Sequence, residues 1–568
     1  MSITILSNKN SHLKGKEMKM NKIVFLSLTL AFSLSSFAGV NLKNGNYYIS
    51  YTDIVVPGTG KSLDMTRTYN SKSTEKGWFG FGWGTVFETK LVESPDGCVV
   101  VHEHGAGGKT RFCPKSPVDP KKAAQKIVDA MRKKNQSITQ SAENGLLERL
   151  VNNAELRHVY ARRFGVVSSV AKGSTLYSNQ RGIQEVKVTA TGFIRTSNDE
   201  KSEYFDKSGN LVKITDKNKY VVEFSYKNKQ LYSIKDSFAK QIYFDWYSNG
   251  RVKSMWSAKD KIASFKYEGD DLVYSKDVEG NEYGFEYDKN HNLQKVVYNP
   301  SRKKGEKEDS MKMDYEPNTF FISKITERNG DQTSYKYGAD PKNKEDHYWT
   351  EVTTTGFNNK KVTNKYEYEI KARPDGSRYT YRIVTAINGI TTETIYSECC
   401  GLPLKIARGK YVTNFEYNDK GLLTSKNSTR GDFVKIKYDD AHNKISEVKN
   451  NAGTTSFKYD NKGNLVSALN SKGKAVALIY NLKGKITKMI DKDTKSNEKR
   501  VLSFQYNALG KPVEIEMANV GKIQVAYDNY GEIKKVESKQ GHKMALQVTQ
   551  AFQNLLAIVK PAGVNLNL

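Results

Sequence analysis

The sequence lacks the short motifs that usually carry hydrolytic or metal-dependent chemistry. No GxSxG, no HExxH and no CxxC pair occurs in its 568 residues. GAGGKT at residues 105–110 is close to a phosphate-binding loop, but Glu103 stands where the first glycine belongs, so a Gly-rich hairpin tip is the favoured interpretation. Asp439 and Asp440 are paired carboxylates in a predicted turn. We therefore expect no enzyme, no catalytic residue, no cofactor and no metal.

Histidine is scarce, with eight residues. His102 and His104 would share one face of a strand and could hold a metal ion, but the sequence shows no third ligand. Two exposed hairpin histidines are therefore the favoured interpretation, and an uncharacterised hydrolase that uses them is the weakest functional hypothesis. His291 and His442 fall in predicted turns, where we expect solvated side chains.

Only four cysteines are present. Cys98 and Cys113 flank a predicted hairpin, where cross-strand partners can be bridged, and they are the candidate disulfide. Cys399 and Cys400 are adjacent. A vicinal disulfide, two free thiols and bridges to another chain are all compatible with that spacing.

Negative charge is also under-represented, which leaves a formal net charge of +28. This excess favours anionic partners such as nucleic acid, lipopolysaccharide or acidic wall polymers. The simpler interpretation is that lysines on outward strand faces keep the sheets soluble. Tryptophans could stack on sugar rings if they are exposed, although such residues more often fill a core. The five are Trp78, Trp83, Trp246, Trp256 and Trp349.

Long apolar runs are missing as well, so we expect no transmembrane segment. A short apolar run from Ile23 to Leu34 follows the positively charged Lys19 and Lys22. Ala38 ends a group of small residues at which a signal peptidase could cleave. This pattern is typical of a cleavable signal peptide, preceded by an extension over residues 1–17. Gly39 after the site argues against a lipid anchor. We expect export to the periplasm, cell surface or medium.

Aromatic residues, in contrast, are plentiful, with 34 tyrosines and 23 phenylalanines, and they recur at fixed spacing. Five tyrosines between residues 396 and 480 are each 21 positions apart. Across the chain the repeat anchors are Phe205, Tyr226, Trp246, Tyr267, Tyr287, Tyr396, Tyr417, Tyr438, Tyr459, Tyr480, Tyr506 and Tyr527.

Each anchor ends an alternating segment such as FVKIKY and is followed by a turn. A glycine commonly lies four positions after the anchor and an apolar residue six positions after it. Leu465 and Tyr480 are fifteen residues apart, and so are Leu231 and Trp246, although the turn before Leu231 is one residue shorter. This predicts one β-hairpin per 21 residues, stacked in an array. Between residues 288 and 395 the pattern decays, and Tyr315 and Tyr337 fit loosely.

Two segments outside the repeats predict helices. Asp119 and Pro120 begin one with Ala123, Ile127 and Met131 on one stripe, and a second spans Glu155 to Arg163 and ends at Gly165. Near the C-terminus an amphipathic helix stopped by Pro561 could cover the end of the array. Its apolar residues are Leu546, Phe552, Leu555, Leu556 and Val559.

The segments FDKSGNL, YDKNHNL, YDNKGNL and YDNYGEI resemble those of the Rhs, or YD-repeat, family. TRTYNS and FGFGWG, near the start of the mature chain, resemble the domain that opens many Rhs proteins. The resemblance covers about residues 39–95 and 200–540 and implies a β-hairpin ribbon that spirals into a shell around a toxin. This chain departs from the family because it has no DPxGL motif, and no toxin domain fits after Tyr527.

We therefore expect a mainly β fold: a spiralling array of antiparallel β-hairpin (YD) repeats forming an open or partial shell, with a small helical insert. The predicted domains are the extension and signal peptide (1–38), the Rhs N-terminal β domain (39–117), the helical insert (118–166), the YD-repeat β-shell (167–540), and the C-terminal helix and tail (541–568).

The expected function is that of an exported, non-enzymatic scaffold or adhesin-like protein of the bacterial cell envelope. Its expected partners are a glycan, an anionic envelope polymer or a protein, and no small-molecule substrate is expected. The alternative is a shell that encloses or chaperones a separately encoded Rhs-type toxin. That alternative predicts an apolar interior and a copurifying polypeptide.

Overall fold

Strands dominate the protein because apolar and polar residues alternate along most of it. The structure is a computed structural model, and it describes residues 37–559 apart from short gaps. These gaps are 59–60, 106, 135–138, 169, 179, 181–183, 198–199, 218, 229, 259–260, 304, 356–359, 483, 508–509, 528–532 and 539. The predicted signal peptide lies outside the described residues, except for its last two positions.

The N-terminal segment folds into three small antiparallel sheets with orders β1-β2-β3-β6, β4-β5 and β7-β8-β9. A short 3-10 turn, Val86–Glu88, connects the first sheet to the last. The strands are β1 (Phe37–Asn41), β2 (Asn46–Val56), β3 (Leu63–Asn70), β4 (Lys76–Gly77), β5 (Gly80–Phe81), β6 (Trp83–Thr85), β7 (Lys90–Glu93), β8 (Val99–His102) and β9 (Lys109–Phe112).

Three helices follow: α1 (Pro120–Lys134), α2 (Gln140–Val151) and α3 (Ala154–Phe164). The Asp119 carboxylate accepts the amide of Lys121, and Gly165 ends α3 in the left-handed conformation at φ 69°. The expected stripe on α1 is buried. Helix α2 was not predicted from the sequence.

The rest of the chain is one 33-stranded antiparallel sheet in which every strand pairs with its neighbours in sequence order. Its first half contains β10 (Thr175–Tyr177), β11 (Glu185–Val188), β12 (Gly192–Thr196), β13 (Ser202–Asp206), β14 (Leu211–Thr215), β15 (Val221–Lys227), β16 (Gln230–Asp236), β17 (Gln241–Trp246), β18 (Val252–Ala258), β19 (Lys261–Glu268), β20 (Asp271–Lys276), β21 (Glu282–Tyr287), β22 (Leu293–Tyr298), β23 (Asp309–Tyr315), β24 (Ile322–Thr326) and β25 (Gln332–Ala339).

The second half of this sheet precedes a last helix, α4 (Gly541–Val559). Its strands are β26 (His347–Thr355), β27 (Lys361–Ala372), β28 (Arg378–Ile387), β29 (Ile390–Tyr396), β30 (Pro403–Arg408), β31 (Tyr411–Tyr417), β32 (Leu423–Ser428), β33 (Phe433–Tyr438), β34 (Ile445–Asn450), β35 (Gly453–Tyr459), β36 (Leu465–Asn470), β37 (Lys474–Tyr480), β38 (Ile486–Asp493), β39 (Lys499–Tyr506), β40 (Pro512–Met517), β41 (Gly521–Tyr527) and β42 (Ile533–Ser538).

The predicted fold class is therefore confirmed: the protein is mainly β, and the repeats are antiparallel hairpins. Among the described strands, β10 and β42 are not paired with one another, so the sheet stays open. β1 begins at Phe37 and so crosses the predicted boundary after residue 38, while the other elements lie inside single predicted intervals. The independence of those intervals as domains stays a prediction.

A side-chain hydrogen bond joins most anchors to the preceding strand pair. The Tyr480 hydroxyl donates to the carbonyl oxygen of Leu465 at 2.8 Å, and Trp246 Nε1 donates to that of Leu231 at 2.7 Å. Donor and acceptor are fifteen residues apart in both pairs, which explains the recurrent spacing, although the bond also forms at a separation of 20 residues at Tyr506. The same contact is made by Tyr226, Tyr267, Tyr287, Tyr417, Tyr438, Tyr459, Tyr506 and Tyr527.

The repeat contact continues past residue 288, where the sequence pattern weakens. The Tyr315 and Tyr337 hydroxyls donate to the carbonyls of Leu293 and Ile322 in the same way, and a ten-residue loop between β22 and β23 disturbs only the spacing. After Tyr337 the longer strands β26, β27 and β28 depart from the repeat, as the sequence suggested, and the contact returns at Tyr417. Phe205 has no donor for this bond, and Tyr396 sits at the corresponding strand end.

The residues around an anchor shape the turn that follows it. The pairing register shifts between Lys458 and Tyr459, so the anchor lies at a β-bulge. The next residue, Asp460, accepts the amide of Asn464 at 2.8 Å through its carboxylate. Gly463 adopts φ 75°, which favours glycine. The tyrosine–aspartate pair and the glycine are therefore parts of one turn.

The N-terminal sheets pack against the first half of the large sheet and share one hydrophobic core with it, from Tyr47 to Ile325. Backbone amides and carbonyls link the two at intervals: Leu91 donates to Gly209, Val252 to Trp78, Phe81 to Asp270, Val278 to Asp53, and Ile322 to Gly45. The hairpins thus meet the N-terminal segment in roughly reverse sequence order, with Leu91 at the earliest of these strands and Gly45 at the latest.

Arg67, from the TRTYNS segment, lies at the centre of this interface. It is fully buried, its Nε is 2.8 Å from Asp53 Oδ2, and its Nη2 donates to the Ser275 hydroxyl. The guanidinium also lies 4.5 Å from the ring centre of Trp83, which belongs to FGFGWG. The two segments that carried the resemblance therefore hold the N-terminal sheets to the hairpins.

Helix α4 covers the second half of the sheet, as expected, but with a different face. Met544, Ala551 and Ile558 are buried in a core with strands β33–β40. Leu546 and Phe552, which the sequence suggested, are 46% and 37% exposed. Both faces of this helix carry apolar residues, so periodicity alone could not choose between them.

The anchor hydrogen bond predicts a small, specific loss of stability. Tyr480→Phe leaves the Leu465 carbonyl without its donor and should lower the free energy of unfolding by about 1 kcal/mol. The measurement is the urea midpoint followed by circular dichroism. Tyr232→Phe is the control, because Tyr232 is 37% exposed. An equal loss in the control would contradict the role of the hydroxyl.

The buried ion pair predicts a larger effect. Arg67→Gln leaves the Asp53 carboxylate buried without its cation and should destabilise the protein by roughly 3–5 kcal/mol. The double variant Arg67→Gln, Asp53→Asn should recover part of this loss. Denaturant unfolding with intrinsic tryptophan fluorescence measures both, and a double variant as unstable as the single one would argue against the pair.

Candidate functional site

The sheet has a thinly covered stretch between its two cores. The N-terminal segment reaches it where the Thr350 hydroxyl donates to the Leu42 carbonyl and Lys43 donates to the Thr380 hydroxyl. The first core ends at Ile325 and the second begins at Val434. Between these positions, Tyr368 and Ile370 are the buried hydrophobic residues among those described. Strands β25–β31 therefore expose both faces in part, unlike the hairpins on either side.

Register places tyrosines together on one face of this stretch. Tyr348 pairs with Tyr368, and their rings stack with centres 5.7 Å apart. Tyr337 pairs with Thr350, which pairs in turn with Tyr366. Because directly paired residues share a face, these positions form one surface. We call the group Tyr335, Tyr337, Tyr348, Tyr366 and Tyr368 the tyrosine face.

The tyrosine face is partly desolvated. Burial raises the pKa of Tyr348 and that of Tyr368, each to about 12. Both phenols therefore stay neutral at physiological pH and present ring surface beside a hydroxyl. Such side chains bind partners that are apolar on one side and polar on the other.

The opposite face of the same strands carries charge. His347 pairs across strands with Glu369, and its Nε2 lies 2.9 Å from Glu367 Oε1, a contact that raises the pKa of His347. Arg382 bonds both Glu369 and Glu393. These alternating charges form a cross-strand network.

Three of these groups could approach a metal ion. Ligand atoms of His347, Glu367 and Glu369 lie within 4.8 Å of one another. However, Glu367 already contacts Lys365 and Glu369 contacts Arg382, so the carboxylates are neutralised by side chains. This group was not predicted from the sequence, because His347 is at least twenty residues from Glu367 and Glu369 and meets them only through strand register.

His102 and His104 do not share a strand face, so that expectation was wrong. Strand β8 ends at His102, and His104 lies in the turn at φ 58°. His102 Nε2 instead lies 3.0 Å from His158 Nε2 on α3. Burial, with nearby cations such as Arg162 and Lys109, lowers the pKa of His102 to about 4 and that of His158 to about 3.

The turn histidines are paired rather than merely solvated. His291 Nδ1 lies 2.8 Å from Asp271, and its ring stacks on Phe81. His442 Nδ1 lies 3.0 Å from Asp439. Asp439 is thus a turn residue, as expected.

The structure contains two disulfides, Cys98–Cys113 and the vicinal pair Cys399–Cys400. The first closes the hairpin of β8 and β9, and the second lies in the turn before β30. By restricting the unfolded chain, the Cys98–Cys113 disulfide contributes about 3 kcal/mol to the free energy of unfolding.

The tryptophans are not freely exposed. Trp83 is fully buried, and Trp78 and Trp246 pack against the first core. Trp256 stacks on Tyr243, and Trp349 lies on the charged face beside Lys365. Tyrosines, rather than the tryptophans considered from the sequence, supply the accessible aromatic surface.

Comparison with known proteins adds to this geometry. Residues 38–109 match DUF6531, described as a domain of unknown function. This domain is found in Rhs/YD-repeat proteins. Over 64 residues the chain is 33% identical to the tRNA3(Ser)-specific nuclease WapA of Bacillus spizizenii, a match that covers 11% of this chain and 3% of that protein.

Solved structures with similar strand arrangements include the Photorhabdus luminescens Tc holotoxin pore carrying TccC3-D651A. It is 10% identical, with a TM-score of 0.36, over 86% of this chain and 29% of that chain. The complex TcdB2-TccC3-TEV is 10% identical, with a TM-score of 0.36, over 87% and 30%. The chain thus spans less than a third of these relatives.

Among the described residues, no helix has the length and apolar character needed to cross a membrane.

The histidine pair predicts acid sensitivity. Both folded pKa values lie below the usual histidine value near 6.5. The unfolded chain therefore binds more protons as pH falls from about 6.5 towards 4, and stability is lost over that window. Because His158→Asn removes one of the two histidines, it should lower by about one the number of protons that the protein takes up on unfolding in this window. Urea midpoints at several pH values measure it, with His442→Asn as control, and an unchanged pH slope in His158→Asn would refute the assignment.

Proposed function

We propose that this chain is an exported, non-enzymatic β-hairpin scaffold of the bacterial envelope that binds a glycan or an anionic polymer through the tyrosine face. The observation that carries the proposal is the thinly covered stretch between the two cores, where Tyr348 and Tyr366 remain partly accessible beside the buried Tyr368.

Aromatic rings with hydroxyls suit sugars, whose faces are apolar and whose edges carry hydroxyl groups. Tyr348 and Tyr368 supply adjacent rings, and the flanking Tyr366 supplies a third. The formal charge of +28 supports acidic sugars or acidic polymers over neutral ones. An adhesin-like role follows from such binding on a rigid array.

The alternative, a shell for a separately encoded toxin, has less support. Both apolar cores are filled by the chain itself: the N-terminal sheets occupy the first, and α4 covers the second. A cargo would have to contact the tyrosine face as well, because the described residues offer no comparable apolar surface between the cores.

Substitution of the tyrosine face tests the proposal. Tyr348→Ala with Tyr366→Ala should weaken binding to purified envelope polysaccharide at least tenfold, because covering each aromatic ring with ligand buries apolar surface worth roughly 1 kcal/mol or more. Surface plasmon resonance measures the affinity, and circular dichroism checks the fold. Tyr232→Ala is the matched control, since its partly exposed ring lies outside this stretch.

Unchanged affinity in the double variant would overturn the proposed surface. Native mass spectrometry of protein purified from its own host separates the two functions: a polypeptide that stays bound and protected from protease would favour the toxin shell.

A further inference from the structure

A cavity of about 330 Å³ lies where three distant segments meet. Lys109 and Arg111 of β9 form one wall, and His158 and the start of α3 form another. The tip of the β27–β28 hairpin, Gly376 to Arg378, forms the third. The volume falls at the lower end of the ~300–1,000 Å³ range of small-molecule sites.

The walls are held in place by buried contacts. The Ala154 amide donates to the Gly376 carbonyl at 3.1 Å. A Cβ on Gly376 would lie 2.9 Å from the backbone of Asn152, so the hairpin tip approaches the helix as closely as a glycine allows. Arg157 donates from Nη2 to the Asp375 carbonyl and from Nη1 to that of Leu150. The cavity is therefore a built feature.

Charged groups surround the cavity from every side. Lys109, Arg111 and Arg378 line it together with a single carboxylate, Glu155. Behind the lining, Asp96 contacts Arg111 and lies 3.8 Å from Arg157, so two buried guanidiniums share this one buried carboxylate. Asp375 lies 3.8 Å from Arg111, and Arg378 also contacts Glu345 and Asp346 at the surface.

Several buried polar side-chain atoms around the cavity have no hydrogen-bond partner in the part of the chain that the structure describes. Nine buried side-chain polar atoms lack a hydrogen-bond partner among the described residues, and four of them belong to this cluster: Nε and Nη1 of Arg111, Nε of Arg157, and Nδ1 of His158. The two Nε atoms lie 3.8 Å from the carboxylates of Asp375 and Asp96, so the capacity left over rests on Nη1 of Arg111 and Nδ1 of His158. Arg111 is 7% exposed and His158 is 2% exposed. Buried donors are normally paired, so such a concentration indicates an acceptor that binds here.

We propose that this cavity binds the phosphate group of a ligand. Guanidinium groups match phosphate oxygens in geometry, and lysine adds a compact charge. The three lining cations approach from two different walls, which suits a tetrahedral oxyanion better than a planar carboxylate. The space beyond one phosphate accommodates the part of the ligand that carries it, such as a sugar or glycerol unit.

A metal ion does not fit the same place. His102 and His158 would offer two nitrogens 3.0 Å apart, but the neighbouring Lys109, Arg111 and Arg162 repel a cation. Among the described residues, no group of three metal-ligating side chains includes this pair.

The test is isothermal titration calorimetry with inorganic phosphate at low ionic strength, where exposed charges are least screened. The protein should show one saturable site. The double variant Lys109→Gln, Arg378→Gln should bind at least tenfold more weakly. Lys109 lies 3.3 Å from Glu155, and Arg378 contacts Glu345 and Asp346. These three carboxylates are exposed or half-exposed, so the double variant leaves no buried carboxylate without a cation.

Lys462→Gln with Lys472→Gln is the charge-matched control, since both lysines lie exposed in turns of other repeats. Binding by this control equal to that of the unaltered protein supports the site. Absence of saturable phosphate binding, or equal weakening in both double variants, overturns it.

The affinities of glycerol 3-phosphate and of a glycerol phosphate polymer, each compared with that of inorganic phosphate, show whether the bound phosphate group belongs to a free ion or to a larger ligand. Tighter binding of either one than of inorganic phosphate supports a ligand that fills the rest of the cavity, and affinity equal to that of inorganic phosphate supports the free ion. No residue of the tyrosine face lines this cavity, so Tyr366→Ala alone should leave phosphate affinity unchanged. Failure of one proposal is therefore distinguishable from failure of the other.

Discussion

The hydrogen bond from an aromatic side chain to the backbone of the preceding strand pair is the constraint on which the sheet depends. Tyr480 and Trp246 show that either a phenol or an indole can make it, and in both the donor ends its strand at a bulge. A hairpin alone is marginal in water. Repeating this contact ties most of the described hairpins to the one before, and it persists at Tyr506, where donor and acceptor are 20 residues apart.

The hairpins share this bond but differ in what covers them. Arg67 and Trp83 help to fill the core against the early repeats, and Met544 and Ala551 of α4 help to fill the core against the late ones. Strands β25–β31, between these covers, retain the same pairing with little burial. Backbone pairing alone thus keeps the sheet continuous where packing is thin, and this leaves surface for binding.

Local features could be predicted from the sequence, because the information lies within one repeat. The anchors, the glycine turns and the alternation of FVKIKY each depend on neighbours fewer than 25 residues away. The contact of His102 with His158 spans 56 residues and requires docking of α3, so no spacing rule could reveal it. The tyrosine face could have been found from the alternation in KYEYEI, but its exposure depends on where two separate cores end.

Strict pairing between sequence neighbours has a consequence for how the molecule is made. Each strand can pair as soon as the next one has emerged from the ribosome or an export channel, because none waits for a distant partner. The N-terminal sheets are made before the hairpins, and their aromatic surface is covered progressively until strand β24, which contains Ile325, has been made. Helix α4 appears last and covers the final strands. Assembly can thus proceed in the order of synthesis, with each new hairpin adding to an edge that is already formed.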